Sequence, residues 1–159
     1  MYKRVLVPVD GSEVAEAIVP FILDIAGPLD LEVVVLQVNR PIAPVVIEGT
    51  RFVDFGDSET RLEEAEAYLA GLVAEMRARG VRARARVRTG EPVAEILAAA
   101  REEDADLIAM STHGRSGPAR VVFGSVAQGV IRRAGVPVFV MKHTEREVAR
   151  RREAAKAAR

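Results

Sequence analysis

Val81-Arg82-Ala83-Arg84-Ala85-Arg86-Val87-Arg88 alternates apolar and basic residues without a break. A period of two sends every arginine to one face of a strand and every apolar side chain to the other. A strand with one solvated face belongs at the rim of a sheet, where a row of charge discourages pairing with another chain. The same stripe could touch nucleic acid, but the edge-strand reading is preferred. The 159-residue chain balances 23 Lys and Arg against 23 Asp and Glu, and it carries only five Phe and two Tyr for base stacking.

Outward from this stretch, strand-like and helix-like patterns alternate five times, the signature of a parallel sheet covered by helices. Upstream, residues 58 to 79 place Leu62, Ala65, Leu69, Leu72, Val73 and Met76 on one helical face, and Gly80 ends the run. Residues 39 to 57, with Pro41, Pro44 and Gly49, show no clear period and read as a surface excursion. Val33 to Val38 is apolar apart from Gln37, and the first strand, Val5 to Val9, is apolar throughout. Between them a helix is expected from Ser12, with Val14, Ala17, Ile18, Phe21, Ile22 and Ile25 on one face and a kink at Pro20. Downstream, Gly90-Glu91-Pro92 opens a third helix that buries Val93, Ile96, Leu97 and Ala100. Leu107 to Met110 is the fourth strand, a fourth helix runs from near Ser125 to before Gly135, and Pro137 to Met141 is the fifth strand.

Continuous apolar strands need cover on both faces, so strands one, two and four are central and strand three lies at an edge. With right-handed crossovers and close neighbours the order is 3-2-1-4-5. The expected fold is therefore α/β, an open five-stranded parallel sheet with helices on both faces, Rossmann-like in layout. The order reverses between strands one and four, so a ligand crevice is expected at Pro8-Val9-Asp10 and Met110-Ser111. There begins Ser111-Thr112-His113-Gly114-Arg115-Ser116-Gly117-Pro118-Ala119-Arg120-Val121-Val122-Phe123-Gly124-Ser125, a glycine-punctuated stretch leading to a helix. From Leu107 to Thr144 there is no acid, whereas Arg115, Arg120, Arg132, Arg133 and Lys142 lie within it. Backbone N–H groups, a helix dipole and local positive charge all suit phosphate.

At these residues the chain resembles the universal stress protein family, specifically its UspA-like, ATP-binding members, over about residues 1 to 142. The carrying stretches are Val5-Leu6-Val7-Pro8-Val9-Asp10-Gly11-Ser12, Val35-Leu36-Gln37-Val38, and the Gly-x2-Gly-x9-Gly-Ser/Thr pattern matched by Gly114, Gly124 and Ser125. Gln37 stands where the family usually has His, and Ser111 where it has the first glycine. The resemblance implies that Pro8, Asp10, Val38 and Met110 surround adenine and ribose. It implies that Ser111, His113, Gly114, Gly124, Ser125 and Val126 hold the phosphates of ATP, with any Mg²⁺ arriving on the nucleotide. In that scheme Ser125 is the N-cap of its helix.

A catalytic role is not expected for any residue. The second histidine, His143, is placed past the fifth strand, so no metal cluster with His113 is expected. Asp10 is a lone carboxylate, and no Gly-x4-Gly-Lys-Ser/Thr loop exists, so ATP hydrolysis is at most weak. The fifth strand, Val138-Phe139-Val140-Met141, is an edge without charge until Lys142, and a two-fold homodimer through it is expected. Cysteine is absent, which excludes disulfides and thiol chemistry. The apolar run before Asp10 is too short for a signal or membrane segment, so the expected location is cytoplasmic, with neither membrane nor nucleic acid as partner.

Residues 1 to 143 form the expected nucleotide-binding domain and residues 144 to 159 a basic helical or disordered tail. The leading reading is an ATP-binding regulatory or stress-response protein. The alternatives are a family dimer that binds no nucleotide and acts through protein partners, and a slow ATP-hydrolysing or AMP-transferring enzyme.

Overall fold

The computed structural model describes residues 2–41, 45–47, 50–52, 55–114 and 124–144. Its elements in chain order are β1 (Arg4–Val9), α1 (Glu13–Glu16), α2 (Val19–Ala26), β2 (Glu32–Asn39), β3 (Val45–Ile47) and β4 (Thr50–Phe52). They continue with α3 (Phe55–Ala78), β5 (Ala83–Thr89), α4 (Pro92–Glu102), β6 (Leu107–Gly114), α5 (Ser125–Arg133) and β7 (Val138–Thr144).

Every neighbouring pair in the five-stranded sheet is parallel, and the order is β5-β2-β1-β6-β7. Counted among the five main strands this is the expected 3-2-1-4-5. Alternation along β1 and β2 sends Val5, Val7, Val9, Val33 and Val35 to a core shared with α2 and α3, and Leu6, Val34 and Leu36 to a second core shared with α4 and α5. Leu6, Leu36 and Ile108 are fully buried, and each such side chain contributes about 1.5–3 kcal/mol relative to exposure.

The arginines of β5 are answered within the chain. Arg84 pairs with Glu32 at 2.7 Å and with Glu103, Arg86 with Glu103, and Arg88 with Glu95 and Glu102 at 2.6 Å each.

Four local expectations are corrected. The first helix is two helices, because Pro20 cannot continue a helix from α1 and instead occupies the first turn of α2. The expected excursion contains an antiparallel hairpin, with Val45 opposite Phe52 and Ile47 opposite Thr50, and α3 starts three residues before Ser58. On α3 Leu62 is exposed, whereas Ala65, Leu69, Val73 and Met76 are buried. Finally, β6 continues to Gly114 and β7 to Thr144 because each supplies the other's backbone partners, in register from Ile108 opposite Val138 to Gly114 opposite Thr144. His143 is thus inside β7, opposite His113, rather than past the strand. Apart from Thr144, the expected tail lies outside the described residues.

The end of α3 shows how local chemistry sets an element's length. Gly80 has φ +78°, its N–H bonds the Arg77 carbonyl, and the Val81 N–H reaches back to Met76 at 3.0 Å. This paired closure satisfies carbonyls that the helix itself cannot, and a left-handed residue there favours glycine.

Candidate functional site

At the carboxyl ends of β1, β2 and β6 the sheet opens into a cleft of about 290 Å³. Two kinds of wall meet there. Leu36 and Val38 from β2, Pro8 from β1, Met110 from β6 and Ile96 from α4 make one side apolar. Ser111, Thr112, Gly124 and Ser125 make the other polar. A molecule with one flat apolar part and one anionic part matches this division.

The polar side is built around the start of α5. Its first intrahelical bond runs from the Gln128 N–H to the Gly124 carbonyl at 3.0 Å, so the N–H groups of Ser125, Val126 and Ala127 precede the ladder. Gly124 is the N-cap, and no side chain caps the helix. Ser125 is the first helical residue, not the expected N-cap, because Gly124 already holds the extended backbone angle of the cap position. Thr112 Oγ1, buried, accepts the Gly124 N–H at 3.1 Å and so ties the end of β6 to the start of α5.

α4 offers a contrast. Its N-cap Glu91 turns its carboxylate onto the N–H groups of Val93 and Ala94 at 3.1 and 2.7 Å. Those bonds, the Ala94 one first, hold its carboxyl below the usual range. One helix start at the cleft is filled by the chain's own anion and the other is open to a foreign one.

The floor is shaped by the turn after β1. Asp10 Oδ1 accepts the Ser12 N–H at 2.9 Å, and Ser12 Oγ accepts the Ala15 N–H at 3.2 Å, which starts α1 and brings Val14 and Ala15 to the cleft. On the far face of the same turn, Tyr68 donates to Glu16 Oε1 at 2.7 Å, and burial together with that bond pushes its phenol pKa up.

Of the expected site residues, Pro8, Asp10, Val38, Met110, Ser111, Gly124, Ser125 and Val126 line this one cleft. His113 and Gly114 close β6, the strand that carries Met110 and Ser111 to the cleft. Ser111 borders the cleft, yet its hydroxyl is buried without a hydrogen-bond partner, as is Gln37 Oε1. Alternation explains the first: Ala109 packs in the α2–α3 core and Met110 in the α4–α5 core, so Ser111 points to the former side. Sequence reading missed Thr112 and Arg40. Thr112 was visible only as a hydroxyl inside a glycine-rich stretch, and Arg40 as the second residue after Val38. No cluster of three potential metal-ligating side chains occurs among the described residues.

Comparison with known proteins points one way. The profile of the universal stress protein family matches residues 1–142. Universal stress protein MJ0531 of Methanocaldococcus jannaschii is 33% identical over 149 residues, covering 92% of this chain and 86% of that protein. Among solved structures, a universal stress protein in complex with cAMP superposes with a TM-score of 0.64 at 25% identity, over 89% of this chain and 97% of that one. The universal stress protein of Archaeoglobus fulgidus in complex with dAMP gives 0.62 at 25% identity, over 87% and 97%. Fold and sequence agree, and the chain belongs to the universal stress protein family.

Proposed function

We propose that this protein is a regulatory binder of adenine nucleotides, with ATP as its ligand. The observation that carries this reading is the open start of α5 facing the same 290 Å³ cleft as an apolar wall. In this reading Val38, Met110 and Pro8 take the base, Asp10 accepts from the ribose, and Gly124, Ser125, Val126 and the backbone of Ser111 receive the phosphates. In the same reading His113 and Gly114, which close β6, also contact the phosphates. The cAMP and dAMP complexes of related proteins support the ligand class. Asp10 is the one carboxylate lining the cleft among the described residues and is taken by the ribose in this reading, so Mg²⁺ would be held by the phosphates with which it arrives. That donor set favours binding over hydrolysis.

The reading extends to a cytoplasmic homodimer. β7 is an edge of the sheet, Phe139 on it is exposed and stacks on Phe21 at 4.8 Å, and Val140 shares the strand. No helix among the described residues is long and apolar enough to cross a membrane. Light scattering at micromolar concentration should give twice the chain mass, and Val140→Lys, although Val140 also packs against the α4–α5 core, should weaken the dimer more than the fold.

Calorimetric titration of nucleotide-stripped protein with Mg-ATP tests the nucleotide site. Micromolar binding is expected, with loss in Gly124→Arg, whose side chain would enter the cleft beside Thr112. An absence of binding by the wild-type protein overturns the reading.

A further inference from the structure

We infer that Arg40 is a base-covering residue of this cleft, its guanidinium lying over the outer face of a bound purine; the inference rests on the adenine-nucleotide reading above. Leu36 and Val38 share one face of β2, and continuing that alternation puts Arg40 at the mouth of the wall they form. Arg40 lines the cleft and is exposed. Among the described residues it forms no ion pair, in contrast to the arginines of β5. Glu91 lies near enough to feel its charge, but the Glu91 carboxylate is already committed to the Val93 and Ala94 N–H groups.

Position argues for the base rather than the phosphates. The open start of α5 follows β6, and β1 lies between β6 and β2. Two strand spacings of about 4.8 Å separate the phosphate end from the strand that carries Arg40. The described lining holds no aromatic ring, so a purine seated on Val38, Met110 and Ile96 has an apolar floor and no planar lid. Arginine supplies one: its methylene stem runs along apolar surface, and its delocalised plane stacks on a π-face. A lysine has the charge without the plane.

The test compares adenosine, AMP and ATP on wild-type, Arg40→Ala and Arg40→Lys proteins, each checked for folding by circular dichroism. Affinity is read by displacement of a fluorescent adenine nucleotide. Arg40→Ala should weaken all three ligands by the same factor, about three- to thirty-fold, and Arg40→Lys by nearly as much. A loss confined to AMP and ATP, or full rescue by lysine, assigns Arg40 to phosphate charge and overturns the inference. So does unchanged affinity. Failure of the wild-type protein to bind any of the three removes the nucleotide reading itself, and this inference with it.

Discussion

Ser111 and Thr112 are adjacent hydroxyls with opposite fates. Thr112 Oγ1 holds the Gly124 N–H, while Ser111 Oγ is buried with no partner. A buried hydroxyl without a bond costs about 1–3 kcal/mol, so Ser111→Ala should leave stability unchanged or raise it by about 1 kcal/mol. Thr112→Val removes the bond to the exposed Gly124 N–H, which water can then take, and should cost about 0.5–1.5 kcal/mol. Urea unfolding checks both, and a loss of more than 1 kcal/mol in Ser111→Ala would reveal a partner for that hydroxyl. Thr112→Val should also weaken nucleotide binding, because the start of α5 loses its tether to β6. At this scale the sequence was informative about which residues gather and poor about where they point. Ser111 was legible as a site residue from its place after an apolar strand. Its direction depended on β6 continuing to Gly114, and that extension is set by pairing with β7 rather than by local propensity.

The start of α5 faces the cleft only while α5 stays seated on α4, and the two helices approach closely at Gly129. A Cβ built there would lie 2.6 Å from Val93 Cγ2, and Val93 is buried. Alanine gains about 1 kcal/mol over glycine in a helix interior, but overpacking costs about 1–3 kcal/mol. Gly129→Ala should therefore be destabilising on balance, and Val93→Ala should relieve it. A double-mutant cycle with a favourable coupling of about 1 kcal/mol is expected, and strict additivity would show that the helices can part freely. Elements whose signals are local were readable: the arginine alternation of β5, the Glu91-Pro92 start of α4, the glycine end of α3. The hairpin was not: Val45-Val46-Ile47 and Thr50-Arg51-Phe52 flank a two-residue Glu48-Gly49 step of hairpin length, but without the Asn-Gly or Asp-Gly pair that marks such a turn. Pro41 and Pro44 just ahead of it masked it as a loop. Pro20 was seen as a disturbance inside one helix, when its ring favours the first turn of a new one.

For the whole molecule, the arginine stripe that decided the sheet order also sets its response to acid. Glu32 joins Arg4 at 2.8 Å to Arg84 at 2.7 Å, and Glu103 joins Arg84 to Arg86, so β1, β2, β5 and the end of α4 are linked through two carboxylates. Burial alone would raise both carboxyls. At Glu103 the Arg86 hydrogen bond and the charges of Arg84 and Arg86 outweigh it, and at Glu32 the Arg84 and Arg4 bonds do, so both are held below the ordinary value of 4.5. A carboxyl lowered by folding contributes stability that is fully present above its unfolded value and is lost as pH falls through the folded one. The urea midpoint should consequently draw no pH dependence from these groups between pH 7 and about 5, and should fall progressively below about 4.5. Glu103→Gln is less stable at neutral pH, since it leaves two guanidinium groups without their anion, so the informative quantity is the slope of stability against pH. That slope should be shallower in the variant, because one titrating group is gone. An equally steep decline in both proteins would mean that Glu103 binds its proton alike in the folded and unfolded chains, and that its arginines position β5 without coupling the sheet to pH.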